Sequence, residues 1–347
     1  MNIRVHEGVG RVKTIESLEP ELLPKGQVSR FYVKILADGL GEAIRLPLIA
    51  ARGHKDGPCF GVTAAVHGNE LNGIPVIHRL MERVDVARLR GTLVALPVFN
   101  APGFLNHRRA FGDGTDLNHI MPGKANGNEA EVYAHRVLQR VVKRFDRMID
   151  LHTASFGRVN SLYVRADMTQ PVTAKMAFLQ RPQIIVHNPP CDFTLRGAAM
   201  ELGIPAITVE IGDPQVFQPN LIRGSLVGLR SVLADMGMIA KRPVREGPRP
   251  IICERSYWIY TDHGGLLEVF PSVAERVQAG QPIAQLKDLF GQVTREYLAP
   301  QDGVVIGKSV NPVARTGARI LHLGVEAPQT DSPYWTPQEP KVAQEEG

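Results

Sequence analysis

The 347-residue chain has little cysteine: Cys59, Cys191 and Cys253 are odd in number, far apart, and none sits in a C-x-x-C pair. That spacing argues against a disulfide framework. No segment reaches the roughly 18 consecutive apolar residues of a membrane span. Residues 1–8 lack the long apolar core of a signal peptide. The expectation is a cytoplasmic protein with no membrane partner. Strong charge is missing too: the net charge is +5 and the pI about 9.1, with the basic residues scattered. The densest group, Arg140, Lys143, Arg144 and Arg147, follows a helix-like stretch and has apolar residues between its members. It reads as a solvated helix face, and no nucleic-acid partner is expected. A mildly basic surface favours anionic small substrates.

What is present is apolar material for a substantial core, 44% of the residues, in a chain long enough for two domains. Residues 1–45 are mixed and Gly-punctuated, with a β-like run over 30–36 that predicts an edge strand or two. From 46 to 245, strand-like runs (59–66, 92–98, 147–151, 161–165, 183–187, 206–211) alternate with helical patterns (74–84, 129–145, 195–202, and a run ending near Met238). Alternation of this kind predicts an α/β domain, with a mixed, mostly parallel sheet flanked by helices. Residues 241–250 carry three prolines and no period, as a linker would. Beyond it, short strands between glycines predict a small all-β domain over 246–327. Two of its segments, 277–286 and 313–323, resemble each other, which suits a barrel or sandwich of two related halves. The polar tail from 328 is expected to be disordered.

In an open α/β sheet, sites gather at the carboxyl ends of strands, and three chemistry-bearing residues fall there. His67-Gly-Asn-Glu70 follows the first apolar run. His152, in Asp150-Leu-His-Thr153, ends another. Glu210, in Thr208-Val-Glu-Ile-Gly212, ends a third. Two histidines and a carboxylate (His67, Glu70, His152) make a three-ligand zinc site with an open position, and Glu210 can serve as the base. Each has a plainer alternative. HxxE alone is a common coincidence, and His152 alone reads better as a hydrogen-bonded core histidine. Asp150 either orients His152 from the same face of the strand or bonds a nearby arginine. Glu210 sits in an otherwise apolar strand, where a charge is costly unless paired or metal-bound; the other option is a structural ion pair. Between the first two ligand positions, the Gly-rich loop 108–123 has the look of a binding loop. Its Arg109 could stabilise an oxyanion and its Asn118 orient a polar group, or both could simply serve the loop.

At these residues the chain resembles the succinylglutamate desuccinylase/aspartoacylase family of the zinc carboxypeptidase-like superfamily. The matching pieces are His67–Glu70, Asn100-Ala-Pro-Gly-Phe104, Arg109 with Asp113-Gly-Thr-Asp-Leu-Asn118 and Pro122-Gly123, Asp150-Leu-His152, and Thr208-Val-Glu-Ile-Gly212, in the family's order. The resemblance implies one zinc per chain on His67, Glu70 and His152, with Glu210 activating water. It also implies that Arg109 polarises the scissile carbonyl, that Asn118 helps bind a substrate carboxylate, and that Arg196 contacts substrate. The substrate would be a small linear amide such as an N-acyl amino acid, with peptide cleavage of the carboxypeptidase kind as the alternative. The small β domain would be a barrel-sandwich module, offering surface for a homo-oligomer. One position departs from the family: Asp-Leu-Asn-Arg there is Asp116-Leu-Asn-His119 here. An imidazole cannot copy an arginine's bidentate grip on a carboxylate, so the α-carboxylate is expected to be held differently or more weakly. The β domain also resembles biotinyl or lipoyl carriers, but Lys287-Asp-Leu-Phe-Gly291 offers no modifiable-lysine motif. A metal-free scaffold is the remaining rival, distinguished by metal analysis.

Overall fold

The computed structural model describes residues 12–190, 192–243 and 247–328. Cys191, part of the expected linker and nearly all of the expected tail lie outside them. The chain enters through β1 (Lys13–Ile15) and a long antiparallel hairpin, β2 (Gln27–Ala37) and β3 (Ala43–Arg52). The α/β region follows as β4 (Lys55–Ala64), α1 (Gly73–Arg83), β5 (Arg90–Leu96), α2 (Ala101–Leu105), α3 (Glu129–Arg140), β6 (Arg147–His152), β7 (Arg158–Asn160), β8 (Leu162–Ala166), α4 (Pro171–Leu179), β9 (Ile184–His187), α5 (Leu195–Glu201), β10 (Ala206–Ile211) and α6 (Pro219–Asp235). The remaining strands are β11 (Ile251–Tyr260), β12 (Gly265–Val269), β13 (Arg276–Val277), β14 (Pro282–Lys287), β15 (Val293–Leu298), β16 (Gly303–Ser309), β17 (Val313–Ala314) and β18 (Arg319–Glu326).

One large mixed sheet runs β1-β2-β3-β5-β4-β6-β10-β8-β9-β11-β18-β16-β13, with β7 paired to β16. Its centre, β5-β4-β6-β10, is parallel, as the sequence pattern predicts. Parallel strands are covered on both faces and so read as continuous apolar runs. Along β5, Val94 and Leu96 pack on one side with α3 and α5, while Leu93 and Ala95 pack on the other with α1, α4 and α6. Helix α3 starts on a capping box between Asn128 and Glu131. It stops at Arg140, short of the expected 145: Val141 leaves helical geometry, with φ -130° and ψ -61°, and a 3-10 turn follows. The basic group there is tied down as well as solvated: Arg144 pairs with Glu19 at 2.7 Å and Arg140 with Glu16 at 3.4 Å. Helix α4 has no counterpart among the sequence patterns. Its apolar residues lie around the whole helix, so it shows no amphipathic period.

The large sheet does not stop at the Pro-rich stretch. Strand β11 pairs in parallel with β9 and antiparallel with β18, while β7 reaches across to β16. A separate four-stranded antiparallel sheet, β15-β14-β12-β17, faces these C-terminal strands across a small core of its own. The two resembling segments fold alike: β13 and β17 are two-residue strands, each followed by a turn with a left-handed glycine (Gly280 and Gly317, both φ 79°) and then a longer strand. β12 pairs with β14 and β17, and β16 pairs with β18 and β13, a reciprocal exchange between two halves. Among the described residues no helix is long and apolar enough to cross a membrane.

Candidate active site

Strand β4 ends at Ala64, and Ala65 turns the chain with a φ of 52°, a left-handed conformation that a residue with a Cβ adopts only under constraint. The constraint is visible: the Ala64 and Ala65 carbonyls accept the backbone N–H groups of Phe99 and Asn100 at 2.8 and 2.9 Å. His67 and Glu70 do not sit on a helical turn, since α1 begins only at Gly73. A tight turn closed by Glu70 N–H to the His67 carbonyl, at 3.0 Å, brings them together instead. Gly68 is required at that turn. A Cβ there would lie 2.1 Å from the Gly103 carbonyl carbon and 2.2 Å from the Phe104 nitrogen. The Asn100 amide ties the same segments, donating to the Val66 and Arg109 carbonyls at 3.2 and 3.3 Å. This close backbone approach is what sets Arg109 beside Glu70.

His152 ends β6, and the parallel register of β6 with β10 puts Glu210 directly beside it. The turn and the two strand ends bring three donor groups together. His67 Nδ1 is 2.9 Å from Glu70 Oε1, His152 Nδ1 is 3.0 Å from Glu70 Oε2, and the two Nδ1 atoms are 3.2 Å apart. All three residues are buried, and their ligand atoms lie within 4.8 Å of one another. Each imidazole is gripped from behind by an aspartate. His152 Nε2 meets Asp150 Oδ2 at 2.6 Å, and Asp150 is itself held by the Thr63 hydroxyl at 2.6 Å. His67 Nε2 meets Asp116 Oδ1 at 3.1 Å. Protons at the Nε2 atoms satisfy both aspartates and leave two Nδ1 lone pairs and a carboxylate aimed at one point. Lone pairs so close repel unless a cation lies among them, and this donor set with an aspartate behind each histidine fits zinc. Burial opposes ionisation of Glu70, but His67 and His152 hold its carboxyl well below the ordinary range. Burial likewise disfavours a charged His152, yet Asp150 and Glu70 raise its pKa well above the usual value.

Glu210 completes the pocket floor. Burial, with the nearby Glu70 carboxylate, lifts its carboxyl above the ordinary value against the pull of His152 and Arg165. Asn160 donates to its Oε2 at 3.3 Å, and Tyr163 is its register partner on β8. Arg109 donates from Nη1 to Glu70 Oε1 and from Nε to Asp116 Oδ2, both at 2.9 Å, and also to the Ser155 hydroxyl. Its side chain keeps 33% exposure at the cavity. Asn118 lines the same cavity while its Oδ1 accepts the Leu195 backbone N–H at 2.8 Å. His119 stands at the rim with a 72% exposed side chain, its Nδ1 3.9 Å from Asp116. Arg196 lines the cavity, but its guanidinium is held within the protein by the Asn188 and Pro189 carbonyls and Asp192. The cavity measures about 290 Å³, room for a small molecule.

Sequence reasoning passed over Asp116, Asn160, Tyr163, Arg165, Arg158, Trp258 and Arg319, all of which lie at or just behind the pocket. Arg165 carried a signal: like Glu210, it is a charge inside a strand, and Thr208 of β10 is its register partner. Trp258 and Arg319 carried none, since the C-terminal strands bring them in from far along the chain.

The fold and site define an α/β protein with a candidate divalent-cation centre at the carboxyl ends of its central strands. The chain belongs to the succinylglutamate desuccinylase/aspartoacylase family: the description of that family's catalytic domain matches residues 56–236. It is similar to the N-alpha-acetyl-L-2,4-diaminobutyric acid deacetylase of Halomonas elongata, with 24% identity over 279 residues, 77% of this chain and 81% of that one. The succinylglutamate desuccinylase of Pseudomonas aeruginosa is 28% identical over 208 residues, 54% of this chain and 62% of the relative. Among solved structures, the product-bound ectoine utilization protein EutE (DoeB) from Ruegeria pomeroyi has a TM-score of 0.80 at 21% identity. The match covers 90% of this chain and 99% of that one, a likeness of fold.

Proposed function

We propose that this protein is a zinc-dependent amidohydrolase that removes the acyl group from a small N-acyl amino acid or a related linear amide. The observation that carries the reading is the convergence of two imidazole Nδ1 atoms, 3.2 Å apart, on the Glu70 carboxylate, with an aspartate fixing each ring from behind. The two curated relatives, named for deacetylation and desuccinylation, support the amide-cleaving part of it.

His67, Glu70 and His152 would hold the ion. Bound there, zinc would acidify a solvent molecule and polarise the acyl carbonyl. Glu210 takes the proton of the attacking water and returns it to the leaving nitrogen, so acid and base work fall to one carboxyl group. Its raised pKa suits the role, because a carboxylate that binds protons more tightly is the better acceptor. Arg109 sets a guanidinium near the developing negative charge, its Nε and Nη1 anchored by Asp116 and Glu70. Asn118 and the walls of the cavity orient the substrate. Attack by water needs no covalent intermediate.

The test is metal analysis of the purified protein, followed by an assay of N-acyl amino acids against dipeptides. Stoichiometric zinc with faster turnover of N-acyl amino acids supports the proposal. Faster dipeptide cleavage would favour the carboxypeptidase alternative. No bound metal and no hydrolysis after reconstitution would reject both.

A further inference from the structure

The outer wall of the pocket gathers cationic groups that no carboxylate among the described residues bonds. Arg158, on β7, places its guanidinium carbon 5.5 Å from the centroid of the Trp258 ring, and Arg319, on β18, places its own 5.4 Å from the same ring. Neither guanidinium has a hydrogen bond or ion pair among the described residues; the indole is their shared contact. Trp258 is braced in turn. His322 stacks on it with centroids 5.0 Å apart and 11° between planes, and His322 Nε2 lies 2.9 Å from the Ser256 hydroxyl.

The spacing is built into the sheet. β7 pairs with β16 so that Arg158 sits opposite Ser309, β16 pairs with β18, and β18 pairs with β11, where His322 is the register partner of Trp258. Three hydrogen-bonded ladders therefore hold the two arginines and the indole at fixed separations. Their mutual repulsion is felt nearby. Burial, then Arg319 and Arg109, lowers the Arg158 pKa against the pull of Glu70 and Glu210. Burial and the surrounding arginines also push the His322 pKa well below the usual imidazole value. Guanidinium groups held close on a rigid frame, with no carboxylate bonded to them among the described residues, suit an anion supplied from outside. Their planar forks match a carboxylate.

We propose that Arg158 and Arg319, braced on Trp258, form the subsite that binds a carboxylate of the substrate at a distance from the scissile amide. This deepens, and rests on, the deacylase reading: the substrate is an anionic amide, and these arginines stand in for the arginine replaced by His119. The carboxylate belongs either to the amine part or to the acyl part, and the probes separate the two. N-acetyl amino acids carry it on the amine only, N-succinyl amines on the acyl only, and N-acetyl amines on neither.

The experiment compares R158Q and R319Q with the parent, all zinc-loaded, on the three probes. The expected result is a KM rise of about tenfold or more for the carboxylate-bearing probe. kcat should stay within about threefold, and the uncharged probe should be unaffected. Arg319 is exposed, so R319Q tests the subsite with little risk to folding. Equal losses on charged and uncharged probes, or no loss on either, would overturn the proposal. Calorimetric titration with succinate provides a readout that needs no turnover, and its affinity should fall about tenfold in either variant. If no N-acyl compound is hydrolysed by the parent, the deacylase reading fails while the succinate titration still decides the subsite.

Discussion

The two ends of the pocket are built on opposite principles. At the floor, His67, Glu70, His152, Asp116, Asp150 and Arg109 form one network in which carboxylates face imidazoles and a guanidinium, and every residue has a partner within 3.2 Å. At the outer wall, Arg158 and Arg319 rest on an indole and bond no carboxylate among the described residues. A closed network suits a cation that must be held identically in every turnover. An open array of one sign suits a ligand that must enter, be recognised by its charge and leave. On the proposed function, chemistry and selection fall to different strands: the floor to β4, β6 and β10 with the loop 108–119, the wall to β7, β11 and β18.

The sharpest way to break this contrast is at the floor. His152→Ala removes a ligand and leaves Asp150 buried without its imidazole. Zinc content by mass spectrometry should drop to background and hydrolysis to the detection limit. Retained zinc at full stoichiometry would mean that the ion sits elsewhere. Glu210→Gln should separate binding from chemistry. Zinc is kept, because Glu210 is not among the three converging donors, while kcat falls by ~10²–10⁴-fold, the usual worth of a general acid–base. A variant with normal kcat would remove Glu210 from the role of base.

The difference between the two ends also decides what the sequence could disclose. The floor is local in the chain: His67 and Glu70 are three residues apart, Asp150 and His152 two, and each group closes an apolar run. Glu210 was legible because a charge inside Ile207-Thr-Val-Glu-Ile211 demands a reason. The central parallel strands and the paired halves of the C-terminal region were legible for similar reasons, namely apolar runs at regular spacing and two matching turns with glycine. What escaped was set by tertiary pairing. Asp116 meets His67 across 49 residues, and Trp258 meets Arg158 across 100 and Arg319 across 61. Helix α4 escaped because apolar residues around the whole helix leave no amphipathic period. The spacing of His67 and Glu70 did not by itself disclose their local geometry: a turn, rather than a helix, brings the two side chains together.

A smaller effect is expected one step behind the ligands. Asp150→Asn keeps the shape of the side chain but leaves a neutral acceptor against His152 Nε2 and the Thr63 hydroxyl. Loss of such an orienting carboxylate weakens metal binding by ~10–100-fold. A competition titration with a chelator would measure it. An affinity equal to the parent's would show that Asp150 serves the strand rather than the metal.

The smallest effect is expected at the rim, where floor and wall meet. His119 is 72% exposed, so His119→Arg should change folding stability by no more than ~0.5 kcal/mol, and its charge is partly screened by solvent. Its consequence should appear in selectivity. A guanidinium at 119 adds a second grip on an anionic substrate, raising kcat/KM for an N-acetyl amino acid over the corresponding N-acetyl amine by a few-fold. An unchanged ranking would deny position 119 a part in recognition. The same substitution placed in R158Q is more informative. If one carboxylate is shared between rim and wall, the gain from His119→Arg should be larger when Arg158 is absent, because the new arginine then replaces a missing partner instead of competing with it. Additive effects in that double-mutant cycle would mean that the two positions act on different groups of the substrate.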